Sequence, residues 1–232
     1  ALKEAQDLGL AEADPTMDVD GTDAAQKASI LSALAFNTPF DFKSVSYGGI
    51  ESVSSEDILY AEQLGYSIKH IAYGSIDGNE VNISAYPTLV SKDQLLSQVG
   101  QQMNALEIYC EGIGSTVYYG PGAGPKPTAS AVIADLVDIS NGGWPDTPNK
   151  ENKNKLCKEG KQTFSRYFNL NVKNEAGAIA KVSSLFAEKN ISIEALIQKE
   201  SKSNNNAQLN VPVIIISGPL SDIDAFQMQD NL

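Results

Sequence analysis

Apolar residues first recur at helical spacing in TDAAQKASILSALAF, where Ala24, Ala25, Ile30, Leu31 and Leu34 share one stripe and predict a helix over 22–36 packed through it. Upstream, Pro15 disfavours helical backbone at Asp14, so Glu12 to Asp18 reads as irregular chain, and Asp20, Gly21 and Thr22 as a turn capping the helix. Residues 37–53, rich in Phe, Ser and Gly, predict a loop and a short strand. SSEDILYAEQLGY starts a second helix on Ser54 or Ser55, with Glu56 and Asp57 in its first turn and Gly65 as its stop. Alternation in SIKHIAYGSIDGNEVNISAYPTLV gives two strands about Asp77 and Gly78, and ALEIYCEGIGSTVYYG a second pair over 105–110 and 115–119. A Gly/Pro-rich turn then leads to a helix beginning near Thr128, with Ala131, Ile133, Leu136 and Val137 available for burial. The pattern up to 141 is α+β, with helices packed on one face of a mainly antiparallel sheet.

The composition changes in GGWPDTPNKENKNKLCKEGKQT, a polar, basic, turn-rich stretch that predicts a linker over 142–163 between a domain at 1–141 and a smaller one at 164–232. In the smaller domain a strand in RYFNLNVKN, with Tyr167 or Phe168 alternating with Leu170 and Val172, precedes Gly177 and the helix AIAKVSSLFAEKN. Two further strands follow, ISIEALIQKE and AQLNVPVIIIS, separated by the polar SKSNNN. A net charge of −12 disfavours nucleic acid and anionic membrane surfaces as partners, and no apolar run approaches the ~18 residues of a membrane span. Cys110 and Cys157 lack C-x-x-C spacing and read as free thiols of a reducing, cytoplasmic compartment. The single histidine, His70, falls in a strand pattern as a packed or edge residue, and no metal site is expected.

Candidate chemistry concentrates in AQDLGLAEADPTMDVDGTDAAQK, which places Glu12, Asp18, Asp23 and Lys27 around a helix start. Asp23 and Lys27 lie one turn apart on one face, so a solvated ion pair on a capped surface helix explains them locally. The segment resembles the signature of homoserine dehydrogenases, matching it at Ala5, Gly9, Leu10, Asp14, Pro15, Asp18, Val19, Gly21, Asp23 and Lys27. The resemblance implies NAD or NADP as hydride acceptor, L-homoserine and L-aspartate 4-semialdehyde as substrates, and a homodimer or higher homo-oligomer serving threonine, methionine and isoleucine synthesis. It implies Lys27 as the acid/base residue, Glu12 against the substrate ammonium, and Asp18 and Asp23 lining the substrate site.

There is no G-x-G-x-x-G after a strand, and GPGAG fails as one because Pro125 takes the place of the third glycine. The chain opens abruptly on ALKEAQDLG, so a dinucleotide-binding domain is expected to lie outside it, leaving this portion inactive alone. By itself YYGPGAGPKPT reads either as a turn or as a place where backbone approaches a ligand closely. The same family carries a G-x-G-A-G-x-x-x-T run where the chain returns toward the nucleotide domain, which implies that Gly124 contacts the cofactor and gives Gly122 and Thr128 a lesser claim. Downstream, NEAGAIAKV at the first turn of the β-α-β-β order is similar to the D-x-P-G-x-L-x-x-V of ACT domains, with Asn174 and Ala176 replacing the usual Asp and Pro. That resemblance implies a ferredoxin-like βαββαβ fold, cut short inside its second helix at AFQMQDNL. It also implies an effector, threonine in such a pathway, held by backbone around Asn174, Gly177 and Ala178; on the residues alone, Gly177 merely permits a tight turn. Two readings result: the C-terminal part of a homoserine dehydrogenase, or a non-catalytic amino-acid sensor that kept the substrate-domain fold.

Overall fold

The computed structural model describes residues 2–7, 13–143, 154–157, 163–198 and 210–231, which fall into two compact units, 1–156 and 157–232. In the first, α1 (Leu2–Asp7), α2 (Thr16–Asp20) and α3 (Thr22–Phe36) precede β1 (Ser46–Tyr47) and α4 (Ser55–Gln63). A long hairpin, β2 (Tyr66–Asp77) and β3 (Glu80–Ser91), is followed by β4 (Met103–Cys110), β5 (Gly114–Pro121), α5 (Pro125–Ser140) and β6 (Lys155–Leu156). Asp77 pairs with Glu80, leaving Gly78 and Asn79 as the loop, with Gly78 at φ 58°, a backbone state glycine adopts without a steric penalty.

β3 is the central strand. β2 runs antiparallel to one edge, and β1 and β6 lie parallel along the other, opposite Ser84–Ala85 and Glu80–Val81 respectively. The sheet is therefore mixed, its antiparallel hairpin joined by two short parallel strands. One of these comes from the stretch expected as linker: Leu156 packs against the core, and Asn154 Nδ2 donates to the Phe36 carbonyl at 2.6 Å. Residues 144–153 and 158–162 of that stretch lie outside the described residues. β4 and β5 form a sheet of their own instead of extending the first.

Alternate residues of β3, Val81, Ile83 and Ala85, are buried against Ala25 and Ala28 of α3. The helix occupies the expected residues but uses a different face. Ala25, Ala28, Ser29 and Ser32 are buried, whereas Ile30, Leu31 and Leu34 are 49%, 44% and 61% exposed. The cause lies across the interface at Gly74 of β2, where a Cβ would stand 2.5 Å from Ser32 Oγ and 3.3 Å from the Phe36 ring. An approach that close admits only small residues, so the large stripe turns outward. α5 also departs from expectation. It starts at Pro125, whose missing N–H costs nothing at the first helical position, and Ala131, Ile133, Leu136 and Val137 are exposed.

The second unit orders its strands β7 (Tyr167–Lys173), β9 (Asn210–Ser217), β8 (Ile193–Gln198), all antiparallel, with α6 (Ala178–Glu188) and α7 (Asp222–Asn231). Its core joins Phe168, Val182, Phe186, Val213, Ile215, Leu220 and Met228, with the Phe168 and Phe186 rings edge to face at 5.5 Å.

Candidate active site

α2 and α3 meet at Gly21, which ends one helix and starts the other at φ 87°, ψ 2°. The irregular chain expected before α3 is helical from Thr16, just beyond a local turn at Asp14, with Pro15 at the N-cap position. Asp14 Oδ1 accepts from the Thr16 N–H at 3.1 Å and from Thr16 Oγ1 at 2.6 Å, and Pro15 stands where a helix needs no N–H. These bonds hold the Asp14 carboxyl below the usual carboxylate range, the side-chain bond being the larger cause. Asp20 makes the same kind of turn ahead of the next helix, with Oδ1 accepting from the Thr22 N–H at 2.8 Å and Gly21 as the N-cap.

Asp18 is exposed on α2, while Asp23 and Lys27 stand one turn apart on α3 with Lys27 Nζ 2.6 Å from Asp23 Oδ2. With side chains 63% and 39% exposed, that ion pair contributes about 0.3–0.5 kcal/mol. The buried Ala/Ser face holds α3, which leaves the pair free to meet a ligand. The structure thus joins Asp23 to Lys27 and puts Asp18 across the Gly21 joint. Glu12 lies outside the described residues.

Gly124 precedes α5 at φ 108°, ψ 165°, and its carbonyl accepts from Thr128 Oγ1 at 2.9 Å and the Thr128 N–H at 3.2 Å. The space a Cβ would take is open except for Pro127 Cδ at 3.9 Å, so the backbone there can be approached closely. Gly122 offers no such room, because a Cβ would overlap the Asn104 side chain.

In the second unit a cleft of about 350 Å³ is lined by Lys173, Glu175, Gly177, Ala178 and Gln198 among others. Gly177 starts α6 at φ 88°, and beyond its own neighbours in the chain no described atom lies within 4 Å of where its Cβ would be. Asn174 belongs to the same turn but not to the lining.

Sequence reading missed the support beneath the α2–α3 joint. Residues 48–50 pass under it: Gly48 N–H donates to the Ala85 carbonyl and Ile50 N–H to the Val19 carbonyl, each at 2.9 Å. His70 Nε2 donates to the Gly48 carbonyl, also at 2.9 Å. The adjacent Gly48 and Gly49 were the available signal, since neighbouring glycines mark close backbone approach.

The homoserine dehydrogenase family model matches residues 1–137. The chain is 41% identical over 218 residues to the homoserine dehydrogenase of Neisseria gonorrhoeae, covering 90% of this chain and 50% of that protein. It is 37% identical over 236 residues to the Bacillus subtilis homoserine dehydrogenase, covering 100% and 54%. A crystal structure of a homoserine dehydrogenase from Thiobacillus denitrificans superposes with a TM-score of 0.83 at 36% identity, over 98% of this chain and 53% of that one. The chain spans about half the length of the curated relatives it matches. With that match running through α2, α3 and the Asp23–Lys27 pair, the chain belongs to the homoserine dehydrogenase family.

Proposed function

We propose that this chain handles the substrate in an NAD- or NADP-dependent homoserine dehydrogenase, interconverting L-homoserine and L-aspartate 4-semialdehyde. The observation that carries the reading is the solvent-accessible Asp23–Lys27 pair at the head of α3, with Asp18 exposed on the preceding helix, in a chain of this family. Lys27 takes the proton of the substrate hydroxyl as the carbinol becomes an aldehyde, and returns it in the reverse direction. Glu12 meets the substrate ammonium and so decides which end of the amino acid faces the cofactor, while Asp18 and Asp23 line the same site. When bound, a nicotinamide supplies the hydride acceptor. The open, left-handed Gly124 fits its approach to the backbone.

The roles we assign are substrate binding and catalysis for 1–141, with β6 completing that unit's sheet, linkage for the rest of 142–163, and ACT-type regulation for 164–232, in a cytoplasmic homo-oligomer. Two features support the ACT reading. The β7-β9-β8 order with α6 and α7 is that of a ferredoxin-like unit through its second helix, and the cleft beside Gly177 and Ala178 offers Lys173, Glu175 and Gln198 to a zwitterion such as threonine.

The deciding experiment uses the enzyme with its dinucleotide-binding domain. Lys27→Ala lowers homoserine oxidation by roughly 10²–10⁴-fold, the scale of general acid–base catalysis, with nucleotide affinity retained. Normal turnover in that variant overturns the assignment.

A further inference from the structure

α3 is anchored by its own buried face, with Ala25 and Ala28 against β3, but α2 has no buried residue. The position of α2 therefore rests on its contacts with α3 across Gly21 and on the strap at 48–50, which lies against its C-terminal end. A Cβ on Gly49 would stand 2.1 Å from the Val19 carbonyl oxygen and 2.6 Å from Asp20 Cα, so the strap lies in direct contact with the end of α2. A Cβ on Gly21 would meet the Gly48 carbonyl oxygen at 2.9 Å and His70 Cε1 at 3.1 Å, so the strap and the imidazole both touch the joint itself. Ile50 ties the strap upward to Val19, and Gly48 ties it down to Ala85 of β3. The Gly48 carbonyl, turned toward the joint, is held by His70 Nε2 from β2.

We propose that His70 is a positioning residue for the substrate site. By fixing the Gly48 carbonyl it sets the strap on which α2 rests, and through α2 the place of Asp18 relative to Asp23 and Lys27. The inference rests on the reading of α2 and α3 as the homoserine site. It assigns different consequences to the two helices. Loosening the strap moves α2 and its Asp18, a ligand of the substrate, whereas the anchored α3 keeps Lys27 where the proton is transferred. Loss of the His70 contact therefore weakens substrate binding more than it slows turnover.

The test compares His70→Leu with His70→Gln in the enzyme carrying its dinucleotide-binding domain. Gln places a donor near the position of imidazole Nε2, whereas Leu keeps bulk and removes the donor. In His70→Leu the homoserine KM rises about five- to tenfold with kcat changed less than about twofold, the loss expected for one hydrogen bond felt through binding; His70→Gln restores KM. Hydrogen exchange of peptides spanning 48–53 reads the strap without reference to catalysis, and in His70→Leu the Ile50 amide exchanges about tenfold faster through easier local opening. An unchanged KM together with unchanged exchange in His70→Leu overturns the proposal. So does a fall in kcat that matches the rise in KM and is not restored by Gln, the mark of general destabilisation. Activity surviving in Lys27→Ala would sink the assignment of the site instead, leaving the exchange result to judge the clasp by itself.

Discussion

Asp14 shows how one side chain shapes the turn that leads into a helix. Both its hydrogen bonds go to Thr16 and both favour the ionised carboxyl, so its pKa in the fold lies below that of the unfolded chain. The sign follows directly: the stabilising contribution is present above the unfolded pKa and is lost as pH falls through the lower, folded one. In an acid titration followed by NMR, the Thr16 amide resonance is expected to shift with a midpoint below that of a free aspartate, and Asp14→Ala abolishes that step. From sequence, Asp14 and Pro15 look like the end of regular structure because the disfavoured backbone is visible there and the turn bonds to Thr16 are not. Asp23 and Lys27 were legible for the opposite reason, since helical spacing alone brings them together. Their exposure, which separates a free pair from a packed one, depends on the small residues beneath α3.

Among the elements, those fixed by local chemistry could be read in advance. α4 is an example: Ser54 Oγ accepts from the Asp57 N–H at 3.1 Å, and Asp57 Oδ2 accepts from the Ser54 N–H at 2.8 Å, completing a capping box. Sequence left Ser54 and Ser55 as equal candidates, and the reciprocal bonds select Ser54. Ser54→Ala is expected to cost about 1 kcal/mol, read as a lower denaturation midpoint at unchanged slope, whereas Ser55→Ala has little effect. The bounds of α3 were equally legible, being set by Gly21, whereas the hairpin expected about Asp77 and Gly78 turns one residue later, at Gly78 and Asn79, with Asp77 paired to Glu80. What could not be read was which face of α3 is buried, because Gly74, the residue that decides it, lies on β2, far along the chain. α5 starts at Pro125 and not near Thr128, because Pro is suited to a first helical turn.

For the molecule as a whole, the composition changes after 141, whereas the two compact units part at 156/157. Lys155 and Leu156 nevertheless belong to the first unit, because an edge of β3 was open to a parallel partner that no local pattern announces. At this scale the testable consequence is regulation. Millimolar threonine is expected to change the activity or raise the thermal midpoint of the enzyme carrying both units, through preferential binding to the native state. Gly177→Val, whose side chain enters the cleft, removes the response, and Gln198→Leu weakens it without a left-handed backbone position to strain. Indifference of the wild-type protein to threonine refutes this reading of the second unit.

The long β2–β3 ladder also has a kinetic meaning. Every pair from Asp77 and Glu80 out to Tyr66 and Ser91 can zip from a loop of only Gly78 and Asn79, a closure with little entropic cost that takes on the order of 1–10 μs in hairpins. β1 and β6 reach the same strand only by closing much longer stretches of chain, so they join late. The platform beneath α3 is therefore expected to assemble early, giving the helix that carries Lys27 a surface to dock on before the sheet is complete.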